Sequence, residues 1–312
     1  MNSWISFSVA TLLSGALATT PARTIPSAHQ SISTERARLD SLADATIAQL
    51  SRFANRRAAI AEGYRRIGTD FPSMGEHWLN VAVLHGKRLD PSRPTVLAYA
   101  TIDGSPQLIG VGYVVTTTGS ATSDAPGWPT YWHEHSGALN DESGAHVGVS
   151  DTSSTATHVW VLHIWAPLAN PLGRYDADNW ALPFARAGIA PPAGLDHEVG
   201  RALSLTVAEG DAYLGRVLTH AGLRVEANAA RVDSALASAR AASTAIITRA
   251  RSARSETLST RNHPLEAPEA ESLRRVWQQL ATDLRAVLGT AVDPLLSPPH
   301  RHHGSEDSTS PR

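Results

Sequence analysis

The sequence predicts an α+β protein: a central antiparallel β unit, either a meander or a partial barrel, flanked by a long N-terminal helix and a C-terminal Ala-rich helical segment. Three observations carry this expectation. Residues 34–68 repeat apolar side chains at helical spacing. Residues 69–192 change to Val, Ile, Thr, Tyr and Trp broken by Gly and Pro, the composition of strands and turns. Residues 193–290 return to Ala-rich helical text. Helices and strands that segregate along a chain, rather than alternate, imply antiparallel pairing and an α+β layout.

The elements follow in order. Trp4 to Ala18 is uncharged, mostly apolar and ends in Ala16-Leu17-Ala18, so residues 1–18 read as a signal peptide and the protein as exported, to a periplasm or beyond the cell. The n-region is atypical, with no Lys or Arg before Arg23. The stretch is short for a membrane span, and no transmembrane anchor is expected after cleavage. Residues 19–33, rich in Thr, Ser and Pro, read as a linker. The N-terminal helix of 34–68 has Leu39, Leu42, Ile47, Leu50, Phe53, Ile60, Tyr64 and Ile67 on its apolar stripe. Ser33 or Thr34 can cap its start and Gly68 its end. Arg56, Arg57, Arg65 and Arg66 read as its solvated face.

In the β unit, strands are expected over His77–Leu84, Pro94–Ala100, Gln107–Thr116 and Thr157–Trp165, with Asp103-Gly104 as a hairpin turn. Both faces of Thr157–Trp165 are apolar, which suits a central strand covered on both sides. Helices are expected near 196–221, 224–254 and 267–289, with Asn262-His263-Pro264 dividing the last two. Residues 291–312 read as a disordered tail rich in Pro, Ser and His.

Composition narrows the function. A net charge of −2 leaves no electrostatic footprint for nucleic acid. The absence of Cys excludes thiolate catalysis, disulfides, Cys-ligated zinc and iron–sulfur clusters. Only Lys87 among the 27 basic residues is lysine, and that bias, with abundant Ala, fits a GC-rich bacterial genome.

Between residues 71 and 191 lie six of the eight tryptophans and seven of the fourteen histidines. Four of these tryptophans and five of these histidines fall in Met74-Gly75-Glu76-His77-Trp78, Tyr131-Trp132-His133-Glu134-His135 and His158-Val159-Trp160-Val161-Leu162-His163-Ile164-Trp165. Imidazoles converging from separate segments suit a metal site or proton transfer, and aromatics can wall such a site from water. Strand alternation sets His77 with Leu79, Val81 and Val83, and His163 with Val159, Val161 and Trp165. Those faces should be buried, and a buried imidazole needs a hydrogen-bond partner or a metal. His133 and His135, one residue apart, would share a side of a strand. Their spacing, Gly127-x5-His133-x-His135, resembles the opening of the cupin metal motif over about ten residues. Ala138-Leu139 stand where that family carries its Glu, and no second Gly- and Pro-rich motif surrounds His158 or His163, so membership does not follow.

The expected metal ligands are therefore His77, His133, His135 and His163. Their imidazoles should lie within roughly 4–5 Å of one another, because ligand bonds are near 2 Å. Neutral His with a carboxylate suits Zn, Fe, Mn or Cu. Glu76 or Glu142 can supply the carboxylate or a general base. There is no HExxH, GxSxG or P-loop, and no GxGxxG that opens a helix. Pocket walls are expected from Trp78, Trp132, Trp165, Tyr175, Asp178, Asn179 and Trp180, the last four in the turn-rich segment 170–184. The leading expectation is an exported protein with a His-based metal or small-ligand site, suited to metal-assisted hydrolysis or oxygen chemistry. One alternative is a non-catalytic pocket for an apolar small molecule. The other is a structural protein that forms homo-oligomers through its C-terminal helices.

Overall fold

The computed structural model describes residues 28–84, 89–118, 123–135, 157–254 and 264–296. The expected signal peptide, Glu142 and residues 297–312 lie outside them. Strands β1 (Arg65–Phe71), β2 (Gly75–Leu79), β3 (Val96–Ile102), β4 (Ser105–Thr118), β5 (His133–His135) and β6 (Thr157–Trp165) form one antiparallel sheet in the order β1-β2-β3-β4-β6-β5. The chain is α+β. Asp103 and Gly104 turn β3 into β4 with φ of 56° and 73°, the left-handed pair that a two-residue hairpin requires.

Helices flank the sheet on both sides. Ahead of it come α1 (Ala28–Ile47), a 3₁₀ turn at Leu50–Phe53 and α2 (Arg56–Ala61); α3 (Val81–Leu84) follows β2. After β6 come α4 (Ala181–Ala187), α5 (His197–Ser204), α6 (Gly210–His220), α7 (Glu226–Arg254), α8 (Ala267–Leu288) and α9 (Asp293–Leu296). Strand alternation sends Trp78, Leu97, Tyr99, Val111, Tyr113, Leu162 and Ile164 to one face, where Leu39, Leu42, Ala43 and Phe53 cover them. Ala98, Ala100, Ile109 and Trp165 point to the other face and meet Leu182 of α4, with Tyr213 of α6 packed beside them. The N-terminal helix and the C-terminal helices thus sit on opposite faces, each in its own core. Tyr hydroxyls bind the first layer to the sheet: Tyr99 donates to Phe53 O at 2.7 Å, and Tyr113 shares a 2.7 Å bond with Thr46.

Several boundaries differ from the sequence expectation, each for a local reason. The helix expected over 34–68 already starts at Ala28, so 28–33 is helix rather than linker. It ends at Ile47, a 3₁₀ turn follows at Leu50–Phe53, and Asn55, extended and accepting from Ala58 N at 2.9 Å, caps a separate α2. Tyr64 and Ile67, read as helix stripe, belong to the sheet approach and β1. The strand expected over His77–Leu84 ends at Leu79, where Asn80 Oδ1 accepts from Ala82 N at 3.0 Å and starts α3. The helix expected over 196–221 is two helices, separated by Ala208 and Glu209 at φ of 46° and 55°. Residues 291–296, expected in the tail, are ordered in the core: Val292 is 0% and Leu296 5% exposed.

Gly110 on β4 faces Trp165 across the ladder, and a Cβ there would fall 2.5 Å from Trp165 Cε3. Gly110→Ala is expected to cost about 1–3 kcal/mol by displacing that indole. Urea unfolding measures it, and an unchanged midpoint would show that the indole moves freely.

Candidate functional site

Three of the expected histidines lie on the face that carries the C-terminal helices. His77 pairs with Ala98, Ala98 with Gly110 and Gly110 with Trp165; one row along, Gly112 pairs with His163. Strands β2 and β6 are three spacings apart in the sheet, about 14 Å. The His77 and His163 ring centroids are nevertheless 5.4 Å apart. Small residues explain this. Ala98, Gly110 and Gly112 leave a trough between the two strands, and the imidazoles lean across it. A Cβ on Gly112 would lie 3.3 Å from His163 Cδ2. His133 comes in from the edge strand, with its ring 5.0 Å from His163. Phe71 (5.1 Å from His77) and Trp165 (4.9 Å from His163) close the cluster on two sides.

His163 is the centre of this group and is 1% exposed. Its Nδ1 lies 2.7 Å from Ala177 O, which fixes Nδ1 as the protonated nitrogen, since a carbonyl only accepts. Nε2 then carries a lone pair, and it is buried without a hydrogen-bond partner among the described residues. Burial lowers the His163 pKa to about 4, overriding the opposing Ala177 bond, so the ring is neutral at ordinary pH.

A cavity of about 280 Å³ opens beside the cluster, between sheet and helical layer. His133 lines it directly, together with Ser73, Met74, Ala177, Asp178 and Trp180. Helices α5 and α6 contribute Arg201, Leu205, Tyr213, Leu214 and Val217, and Trp277 and Leu295 complete the wall. Asp178 accepts from Ser73 Oγ at 2.5 Å; burial raises its pKa, with the Ser73 bond opposing. Burial lowers the Arg201 pKa and raises that of Tyr213. The segment after β6 is pinned as a wall: Asn170 Nδ2 donates to Asp178 O and Asn179 Nδ2 to Leu168 O, at 2.7 and 2.8 Å.

The remaining site candidates are distributed as follows. Asp178 and Trp180 line the cavity, Asn179 is buried in its wall, and Trp165 packs on His163. Trp78, Trp132 and Tyr175 belong to the core on the opposite face, under the N-terminal helix. Glu76 faces that way too. It is paired with Arg56 at 2.8 Å and Arg66 at 3.3 Å, and so is separated by the sheet from the imidazoles. Those two arginines, read as solvated, neutralise this buried carboxylate. His135 pairs with Val159 in the ladder; its side chain lies outside the described residues. Glu134 turns to His158 Nδ1 at 2.5 Å. Among the described residues, the His133 and His163 rings stand at the upper limit of the expected 4–5 Å and the His77 and His163 rings slightly beyond it, and no three His, Asp or Glu form a ready metal cage. Ser73, Arg201 and Tyr213 were not foreseen, since they come from a turn and from helices whose periodicity marks only packing.

No family model, curated protein or solved structure matches this chain. No helix among the described residues is long and apolar enough to cross a membrane.

Proposed function

We propose that the chain binds a small molecule in the cavity between sheet and helices, over a divalent transition metal held by His77, His133 and His163. The observation that carries this reading is the His163 Nε2 lone pair, buried beside two further imidazoles and oriented by a carbonyl on Nδ1. A carbonyl or carboxylate on the far nitrogen is how proteins fix a metal-binding imidazole. Neutral nitrogen donors suit Zn, Fe, Mn or Cu. Bringing three nitrogens to a common point near 2 Å needs side-chain rotations within the trough. A metal there would support hydrolysis or oxygen chemistry on a ligand in the cavity.

Metal analysis of the full chain, with His300, His302 and His303 replaced by serine, tests the reading. About one equivalent of metal is expected, falling at least tenfold in affinity in His133→Ala and in His163→Asn. No stoichiometric metal, or unchanged loading in the double variant, would sink it. A second reading, a metal-free pocket for an apolar molecule, draws on Leu205, Leu214, Val217, Trp277 and Leu295 along the wall. Export to a periplasm or beyond, and self-association through the C-terminal helices, are kept as proposals from the sequence.

A further inference from the structure

The cavity has a second polar group besides the imidazole that lines it. Arg201 of α5 projects into it and is held by backbone carbonyls, with Nη1 donating to Leu296 O at 2.5 Å and Leu295 O at 3.4 Å. Its guanidinium lies over two indoles, 6.0 Å from the Trp180 ring and 5.4 Å from that of Trp277. Trp180, which lines the same cavity and is 3% exposed, has a buried Nε1–H with no hydrogen-bond acceptor among the described residues. An indole N–H and a guanidinium are donors only. The buried Trp180 N–H calls for an acceptor, and leaving it unmet is costly.

We infer that the Trp180 and Arg201 wall of the cavity is a carboxylate subsite, in which Trp180 Nε1 and Arg201 receive the acid group of a small organic acid. The guanidinium fork matches a carboxylate in shape and charge. Leu205, Leu214 and Val217 offer the apolar wall for the rest of the molecule. The volume, about 280 Å³, is at the small end for ligand pockets and suits a short-chain or single-ring acid. Asp178 on the same wall is already bonded to Ser73; burial raises its pKa, with the Ser73 bond and the charge of Arg201 opposing. The inference rests on reading the cavity as a ligand site and does not require the metal.

Calorimetric titration of the full chain with benzoate, hexanoate and benzamide tests this, both after EDTA treatment and after zinc loading. Benzoate or hexanoate is expected to bind at least tenfold tighter than benzamide in both states. Trp180→Phe keeps a ring and removes only the donor, and should bring the acid close to parity with the amide. Arg201→Lys keeps the charge but loses the fork, and should weaken acid binding about tenfold, a second reading if Trp180→Phe folds poorly. Equal binding of acid and amide, failure of both acids to bind, or a preference that survives both substitutions overturns the subsite. A preference seen only with zinc and indifferent to Trp180 places the acid on the metal: the subsite then fails and the metal reading stands. A preference in metal-free protein sustains the subsite even if no metal is ever found.

Discussion

Metal-free protein is expected to lose about 3 kcal/mol of stability through His163 alone as the pH falls from 7 to 4. Folding depresses this imidazole from its ordinary 6.5 to about 4, because the folded site buries it completely. Above pH 6.5 the ring is neutral both folded and unfolded, and the contribution is whole. Between 6.5 and about 4 the unfolded chain takes a proton that the folded chain refuses, so stability falls with pH. Below about 4 both states are protonated and the His163 contribution is constant. Urea unfolding at pH 7, 6 and 5 in EDTA, compared with His163→Asn, isolates this from other titrating groups. Asn keeps a donor for Ala177 O but cannot titrate. Parallel pH profiles for the two proteins would refute the burial of a neutral His163.

Gly210→Ala is expected to be at least as damaging, on the order of 3 kcal/mol or more. A Cβ there would sit 1.7 Å from Ser204 O and 2.6 Å from its carbonyl carbon. Both are backbone atoms, so no rotamer relieves the overlap, and α5 must part from α6. Those helices carry Arg201 and Tyr213 into the cavity, so whatever population still folds should bind ligand poorly. With total stabilities of about 5–15 kcal/mol, such a loss approaches the fold's whole margin. The unfolding midpoint decides it: a value within about 1 kcal/mol of the parent would mean that the close approach is relieved without cost.

The parts of this fold that were legible in the sequence are those governed by a single local period. Thr157–Trp165 showed two apolar faces, and β6 is covered on both. Asp103-Gly104 announced its turn, and the two long helices expected near 224–254 and 267–289 span Glu226–Arg254 and Ala267–Leu288. Side-chain caps hid the breaks. Asn55 and Asn80 each begin a new helix through a side-chain hydrogen bond, and neither disturbs the apolar pattern. For the site, alternation placed His77 and His163 on faces that proved to be the same side of the sheet. What alternation could not supply was the strand order, and with it the trough of Ala98, Gly110 and Gly112 that lets distant strands share a cluster. Strand order also decides that Trp78, Trp132 and Tyr175 serve the opposite core. Arg201 was invisible for a different reason: a helical arginine reads as solvated until a second helix is known to roof it.

Strand β6 has a consequence for how this chain can change over generations. Its odd-numbered residues Val161, His163 and Trp165 build one side of the sheet and its even-numbered Leu162 and Ile164 the other. Losing or gaining a single residue within it would exchange the two sets, driving an imidazole into oil and a leucine into the histidine cluster. Length variation is therefore barred from these nine positions, whereas single substitutions can be tried one side at a time. The two surfaces of the sheet can drift in composition independently, while their common thread must keep its count.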